Sequence, residues 1–236
     1  MNAIIASLTA IWTSSIGKKI IVALTGAYLV LFVAGHLVGN LLVFAGREAF
    51  NEYAYFLHHM IHGVGIWLFR LVMVAAVALH VAATVSLTLQ NRAARKPYEC
   101  KAVIQATVSS RWMIWSGLTL LGFLIYHMLH FTIRVGNQYD TLDRYQTTLE
   151  GKPAHDAWQM VVDGFSWGPA TFFYVVAMTM LCSHLSHGVA SIFQTLGLRF
   201  KKSESALRCL SLGYAMVIWI GFISIPLAIY FGLVKS

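Results

Sequence analysis

The chain has 236 residues, of which 58% are hydrophobic and only 11% are charged, and its formal net charge is +8. This composition argues against a soluble domain, because soluble domains usually carry about 25% charged residues. The basic residues cluster at the ends of apolar stretches, so membrane topology explains the positive charge and nucleic-acid binding is not indicated.

Five uncharged stretches follow one another along the chain: Ile20–Gly46, Leu71–Asn91, Trp112–Ile133, Gly164–Leu198 and Cys209–Val234. Each can hold the roughly 20 apolar residues that a tilted helix needs to cross a bilayer. Helices are expected because backbone polar groups cannot stay unpaired in lipid. We predict an all-α polytopic membrane protein, a five-transmembrane-helix bundle forming one membrane domain over residues 1–236, with spans at about 18–45, 66–91, 111–134, 168–197 and 207–233.

The segments outside these spans differ in kind. Met1–Thr13 is apolar without a basic beginning, so we expect no cleavable signal but either an interfacial amphipathic segment or a helical extension of span 1. Arg47–Gly65 is short and rich in aromatic residues and histidine, and Arg134–Asp163 is the longest polar stretch. Both are expected to be loops on the same side of the membrane.

The distribution of charge predicts the orientation. Eleven basic residues lie before span 1, between spans 2 and 3, and between spans 4 and 5, accompanied only by Glu99 and Glu204 as acids. The opposite side carries six basic and seven acidic residues. The positive-inside rule therefore places the N-terminus in the cytoplasm and the C-terminus outside.

A histidine lies within each of the first four spans: His36, His80, His127 and His184. Imidazole is costly in hydrocarbon and is a common ligand for iron. At about 1.5 Å of rise per residue, two of these histidines lie roughly 22–24 Å from the cytoplasmic border and two lie roughly 16–18 Å from it. The depths predict the pairs His36/His127 and His80/His184, enough for two bis-histidine haems, of b type since no C-x-x-C-H motif is present.

Two neighbouring histidines leave the ligand assignment open. His130 follows His127 by one turn, and His187 follows His184 by one turn. Gly188 favours His184, because a side chain one turn beyond the ligand would collide with a haem ring. Glycines before His127 in span 3 do not decide between His127 and His130.

Several short motifs follow in order over about residues 14–200. They are Ser14-Ser15-Ile16-Gly17-Lys18-Lys19, Gly35-His36-Leu37-Val38-x-Asn40, Arg47-Glu48-Ala49-Phe50-Asn51, the span-2 histidine with a basic loop after it, Gly117 with His127 ten residues later, and His184-x-x-x-Gly188. In this order and spacing, the sequence resembles the single-chain, five-helix, two-haem cytochrome b membrane anchor of succinate:quinone oxidoreductases and fumarate reductases.

The resemblance implies that His36, His80, His127 and His184 are the axial ligands of two haems b. It also implies an electron-transfer subunit of succinate dehydrogenase that passes electrons from an iron–sulfur subunit to quinone, with menaquinone expected. Dicarboxylate chemistry would reside on a flavoprotein subunit, bound with the iron–sulfur subunit on the cytoplasmic side of a bacterial-type inner membrane. Related anchors often carry an acid just before the span-4 ligand, where this chain has Leu181-Cys182-Ser183, so the resemblance does not extend to a proton route at that position.

Further candidates lie at the span borders. Haem propionates would seek basic residues, and the candidates are Arg70 and Arg134 outside and Arg92 and Lys96 inside, each equally compatible with a snorkelling border residue. The candidate quinone region is Glu48 and Glu52, with nearby histidines, on the outer side, or Ser14 and Ser15 on the inner side.

Two other functions share parts of the pattern. A two-haem cytochrome b of a hydrogenase or formate dehydrogenase would have the four histidines without the family spacings. A haem-free transporter would show Gly or Pro breaks in paired spans and charges at mid-depth. Here Pro169 is at a span border and Pro226 lies in span 5, which has no histidine.

Overall fold

The computed structural model describes residues 2–94 and 108–235, and this part of the chain is mostly helical. The elements are α1 Asn2–Thr13, α2 Ser15–Leu41, α3 Arg47–His59, α4 Val64–Ala93, α5 Val108–His127, β1 Gln146–Leu149, β2 Lys152–His155, α6 Ala157–Ser166, α7 Gly168–Thr195 and α8 Glu204–Tyr230. A 3₁₀ turn over Leu42–Ala45 extends α2, and a π-helical turn over Met128–Thr132 extends α5.

Five helical segments are long and apolar enough to cross a membrane: Ser15–Ala45, Val64–Ala93, Ser110–Thr132, Gly168–Thr195 and Glu204–Tyr230. Their outward surfaces are apolar, with Leu31 73% exposed and Phe172 71% exposed. Exposed apolar side chains at this density suit contact with lipid. The prediction of an all-α, multi-pass membrane protein with five membrane-length helices is confirmed.

The chain bends sharply between α1 and α2. Ser14 has an extended backbone, and its hydroxyl caps α2 by accepting the amide of Gly17 at 2.8 Å. A Cβ at position 17 would collide with the Ile11 carbonyl, so glycine is needed for α1 to fold back against α2. Residues 2–13 therefore form a separate helix and not a straight continuation of the first span.

The membrane-length helices are arranged around α2 and α7. Helix α2 packs against α4, α7 and α8, whereas α5 packs against α7. Close approach of α8 to α2 depends on Gly221, where a Cβ would lie 2.7 Å from the Leu37 side chain. The Tyr214 hydroxyl adds a hydrogen bond to the Val30 carbonyl at 2.5 Å. Helix α4 thus packs on α2, whereas α5 packs on α7.

Residues 47–59 and 143–166, comprising α3, the β1–β2 hairpin and α6, form a cap on one end of the bundle. Its apolar core includes Val43, Phe50, Tyr139 and Trp158, joined by Ile225 of α8. The hairpin turns at Glu150 and Gly151, which both have positive φ, as two-residue hairpin turns require. The expectation that residues 47–65 and 134–163 are loops was wrong for these parts, because apolar side chains from both segments bury each other.

A buried carboxylate ties the two halves of the cap together. Asp156 is fully buried and accepts hydrogen bonds from Arg47 Nε at 2.5 Å, Asn51 Nδ2 at 2.9 Å and the Gln159 amide at 2.9 Å. The last contact makes Asp156 the N-cap of α6. Asn51 also accepts the Trp158 amide at 2.9 Å, so α3 and α6 are held by a polar network inside an apolar core.

Substituting Asp156→Ala should destabilise the cap. The change removes a helix cap and leaves the buried Asn51 amide without its acceptor, at a cost of about 2–4 kcal/mol. Thermal unfolding of the detergent-solubilised protein, followed by tryptophan fluorescence, measures the effect. Asp143→Ala is the matched control, since Asp143 is exposed, and its midpoint should stay at the wild-type value. Equal midpoints for the two variants would contradict the role assigned to Asp156.

Candidate functional site

Two imidazoles meet across the bundle on the side of the cap. His36 on α2 and His127 on α5 have ring centroids 5.8 Å apart and ring planes inclined by 81°. Their helices pack on other partners, so the contact is made by the side chains reaching toward each other. This cap-side pair is one of the two pairs that the histidine depths predict.

The separation of the cap-side pair suits two ligands of one metal. An imidazole nitrogen binds a transition metal at about 2 Å, so two rings on opposite sides of an iron have centres roughly 6 Å apart. The observed 5.8 Å is close to that value. Phe32 stacks on His36 at 5.2 Å and Phe123 on His127 at 5.8 Å, which surrounds the two rings with flat apolar surface.

The second pair, His80 on α4 and His184 on α7, lies farther from the cap. Each Nδ1 lies against a hydroxyl of the neighbouring helix, His80 against Thr25 Oγ1 at 3.1 Å and His184 against Ser116 Oγ at 3.1 Å. We call His80 and His184 the far-side pair.

The two hydroxyls occupy equivalent positions on α2 and α5. Thr25 lies eleven residues before His36, and Ser116 lies eleven residues before His127. Eleven residues make about three helical turns, so each hydroxyl and its histidine share one helical face and are separated by roughly 16 Å. A glycine follows each hydroxyl. A Cβ added at Gly26 would lie 3.3 Å from the His80 ring, and one added at Gly117 would lie 3.7 Å from the His184 ring. The helix pairs α2–α4 and α5–α7 therefore repeat one arrangement.

The structure separates the roles of His127 and His130. The π-helical turn begins directly after His127 and adds a residue to that turn of the helix, which changes the direction of His130. His127 faces His36, whereas His130 stacks on Phe131 at 3.9 Å and lines a cavity at the cap. The Tyr174 hydroxyl lies between the two histidines, 3.1 Å from His127 Nδ1 and 3.3 Å from His130 Nδ1.

His184 on α7 is held by α5 through Ser116. Gly188 lies one turn beyond His184, and no atom of the described residues outside its own helical backbone lies within 4 Å of the place where its Cβ would be. Gly35 and Gly122, near the cap-side pair, are open in the same way among the described residues. A flat macrocycle needs such gaps to approach a helix, so the residues around both pairs fit a haem.

The four histidines do not form a multidentate metal site. Within residues 2–94 and 108–235, no three His, Cys, Asp or Glu side chains converge as a metal cage would require. Haem iron takes its other four ligands from the porphyrin and needs only two from the protein, commonly imidazoles. The donor set therefore suits haem better than a protein-ligated zinc or iron ion.

The predicted propionate contacts have other partners or lie elsewhere. Arg70 stacks over the Trp67 ring at 4.9 Å, Arg134 pairs with Asp140, and Arg92 is exposed. Lys96 lies outside the described residues. A cation not chosen from the sequence for this role, Lys18, is only 3% exposed near the start of α2. Among the described residues no carboxylate lies within salt-bridge distance of it.

The predicted quinone-region residues are exposed. Glu48 and Glu52 are exposed on α3, and Glu52 lines a cleft of about 260 Å³ shared with Tyr55 and Lys152. Ser14 and Ser15 are exposed at the bend between α1 and α2, and the Ser14 hydroxyl caps α2.

A larger cavity opens between the end of α5 and the cap. Its volume is about 420 Å³, and its lining residues are Tyr126, Leu129, His130, Val135, Gly136, Asn137, Tyr139, Asp163, Gly164 and Trp167. Burial, reinforced by Tyr145 and Asp163, raises the pKa of Tyr139 to about 12, so its phenol stays protonated and can donate. Trp167, at the edge of the cavity, is 60% exposed. The sequence did not reveal this site because it forms where the end of span 3 meets residues 135–163, which were expected to be a loop.

No protein-family model matches the chain, and neither the curated proteins nor the solved structures include a significant match. The expected function therefore depends on the residues themselves and on the motif resemblance.

If the chain binds the two haems that the sequence predicts, Gly188→Leu should expel one of them while leaving the fold intact. No described residue lies in the space beside position 188, so the larger side chain need not disturb the helices. It would enter the space that a macrocycle on His184 needs, and the haem content should fall from about two per chain to about one. Gly213→Leu on α8 is the control, since that glycine is also free of contacts and carries no histidine one turn away. Retention of both haems by Gly188→Leu would contradict the predicted position of the ring.

Proposed function

We propose that this chain is the membrane anchor and electron-transfer subunit of a succinate:quinone oxidoreductase. The observations that carry the proposal are the cross-bundle contact of His36 with His127 and the matching placement of His80 and His184, each held by a hydroxyl of the neighbouring helix. The four histidines lie on four helices in the order that the resembling family uses. A haem b held by each couple supplies one-electron chemistry between ferric and ferrous iron. The flavoprotein and iron–sulfur subunits bind on the side opposite the cap, which the charge distribution assigns to the cytoplasm.

The protein's own contribution is to hold four imidazoles at two levels. Hydroxyls on α2 and α5 orient the far-side histidines, and aromatic rings pack on the cap-side histidines. Lys18 lies seven residues before Thr25, about 10 Å toward the far side along α2. A buried ammonium needs an anion, and we assign Lys18 to a haem propionate on that side.

Quinone is proposed to bind in the cavity of about 420 Å³ beside His130. His130 and the cap-side ligand His127 share the Tyr174 hydroxyl, so the cavity wall is linked to the pair by hydrogen bonds. Tyr139 offers a phenolic donor to a quinone carbonyl, and Asp163 is the carboxylate on the cavity wall for exchanging protons with the cap surface. Menaquinone is the expected quinone from the family resemblance alone.

Ligand substitutions test both the cofactor and the pairing. The purified protein should show a reduced-minus-oxidised b-type spectrum with about two haems per chain, and His→Ala at any of the four positions should remove one. The double variant His36→Ala/His127→Ala should keep one haem, whereas His36→Ala/His80→Ala should keep none. His130→Ala and His187→Ala are the controls and should keep both. Colourless wild-type protein would overturn the proposal, and one haem left in the cross-pair variant would overturn the pairing.

Cavity substitutions test the quinone site. In the assembled complex, Tyr139→Phe should raise the KM for quinone about fivefold, because it removes one hydrogen bond of about 1 kcal/mol. Succinate oxidation with a water-soluble dye that accepts electrons at the partner subunits should be unchanged. Glu52→Gln is the matched comparison at the α3 cleft. If Glu52→Gln raised the KM for quinone and Tyr139→Phe did not, the quinone site would lie at the α3 cleft and not in the cavity beside His130.

A further inference from the structure

The far-side histidines are held in one tautomer. The Thr25 hydroxyl lies 2.6 Å from the Ile21 carbonyl, and the Ser116 hydroxyl lies 3.1 Å from the Met113 carbonyl. A carbonyl can only accept, so each hydroxyl gives its hydrogen to the backbone of its own helix. The oxygen then presents a lone pair to the histidine, and the ring nitrogen facing it must be the donor Nδ1–H.

This tautomer also decides which ring nitrogen can bind a metal. With Nδ1 protonated, the neutral ring keeps its lone pair on Nε2, where a metal can bind. The same logic holds for His184, whose Nδ1 meets Ser116 at the same distance of 3.1 Å.

The cap-side pair lacks this arrangement. His127 Nδ1 faces the Tyr174 phenol, which is shared with His130, and His36 lies against the Asn40 amide at 3.3 Å from both ring nitrogens. A phenol with a single hydrogen can donate to one histidine while accepting from the other. The cap-side pair and the far-side pair therefore differ in how firmly their hydrogen bonds fix which imidazole nitrogen carries the proton.

We propose, on the basis of the proposed haem-binding function, that Thr25 and Ser116 are positioning residues that set the redox potential of the far-side haem. An acceptor on Nδ1–H makes the imidazole a more basic ligand, and a more basic ligand favours ferric over ferrous iron. The two hydroxyls thus lower the potential of the far-side haem and strengthen its binding, without touching the iron. The cap-side haem has no equivalent hydroxyl pair and is outside their influence.

The test uses four variants and two control variants of the full chain, each purified with its haems. Thr25→Val and Ser116→Ala remove the acceptor hydroxyls with little change of volume, whereas Thr25→Ser and Ser116→Thr keep them. Thr84→Val and Thr119→Val are controls, because among the described residues those hydroxyls bond to carbonyls of their own helices. Potentiometric titration of the b-type absorbance measures the midpoint potential of each haem.

Thr25→Val and Ser116→Ala should each move one of the two potentials in the positive direction and weaken retention of that haem by about 10-fold to 100-fold. The other potential, the hydroxyl-keeping variants and the controls should remain at wild-type values. If Thr25→Val loses the haem entirely, its retention by Thr25→Ser identifies the hydroxyl as the cause, and loss in both would overturn the assignment.

The outcomes separate this inference from the proposed function. If the wild-type protein held two haems but Thr25→Val and Ser116→Ala left both potentials unshifted, the role of the hydroxyls would be overturned. The proposed function would still stand. A shift of both potentials together would also overturn it, since it would report a general change in the bundle. A wild-type protein without haem would overturn both.

Discussion

The hydrogen bond between an imidazole and a hydroxyl on a neighbouring helix fixes how the far-side histidines are held inside this bundle. A histidine inside a membrane is costly unless its polar atoms are engaged, and the far-side histidines engage one nitrogen each. The bond orients each ring through its Nδ1 atom. Helix packing, the small residues Gly26 and Gly117, and the spacing to the cap-side pair all serve that orientation.

The cap imposes a second constraint, from outside the membrane-length helices. Asp156 joins α3 to the start of α6, and the apolar core beneath it reaches α8 through Ile225. This holds the end of α5, with its π-helical turn, close to α6 and against Tyr174. The position of His130, and so the shape of the cavity beside it, depends on packing that the membrane helices alone do not provide.

The five membrane-length helices could be predicted from the sequence because lipid forbids unpaired backbone and charge, which leaves long uncharged stretches that are easy to recognise. The four histidines stood out because imidazole is rare in such stretches. The cap could not be predicted, since its main polar contact joins Asn51 to Asp156 across 105 positions of sequence. The roles of Thr25 and Ser116 were hidden because hydroxyl side chains commonly bond to their own helix, and only the packing of α4 on α2 and α7 on α5 reveals their second partner. His127 could not be separated from His130 because a π-helical turn has no reliable sequence signal.

The helix pairs α2–α4 and α5–α7 have the same arrangement, and this repeat affects how the folded protein assembles with its cofactor. Each histidine couple takes one member from each half of the chain, so neither half can complete a binding site by itself. Under the proposed function, the cofactor would be captured only once the second helical hairpin has docked on the first. Cofactor binding would then stabilise the association of the two halves, because its binding free energy adds to the free energy of their contact. A newly inserted chain lacking porphyrin would be held together by the packing of α2 on α7, by the α3–α6 contact in the cap, and by α8, which lies against both α2 and α7.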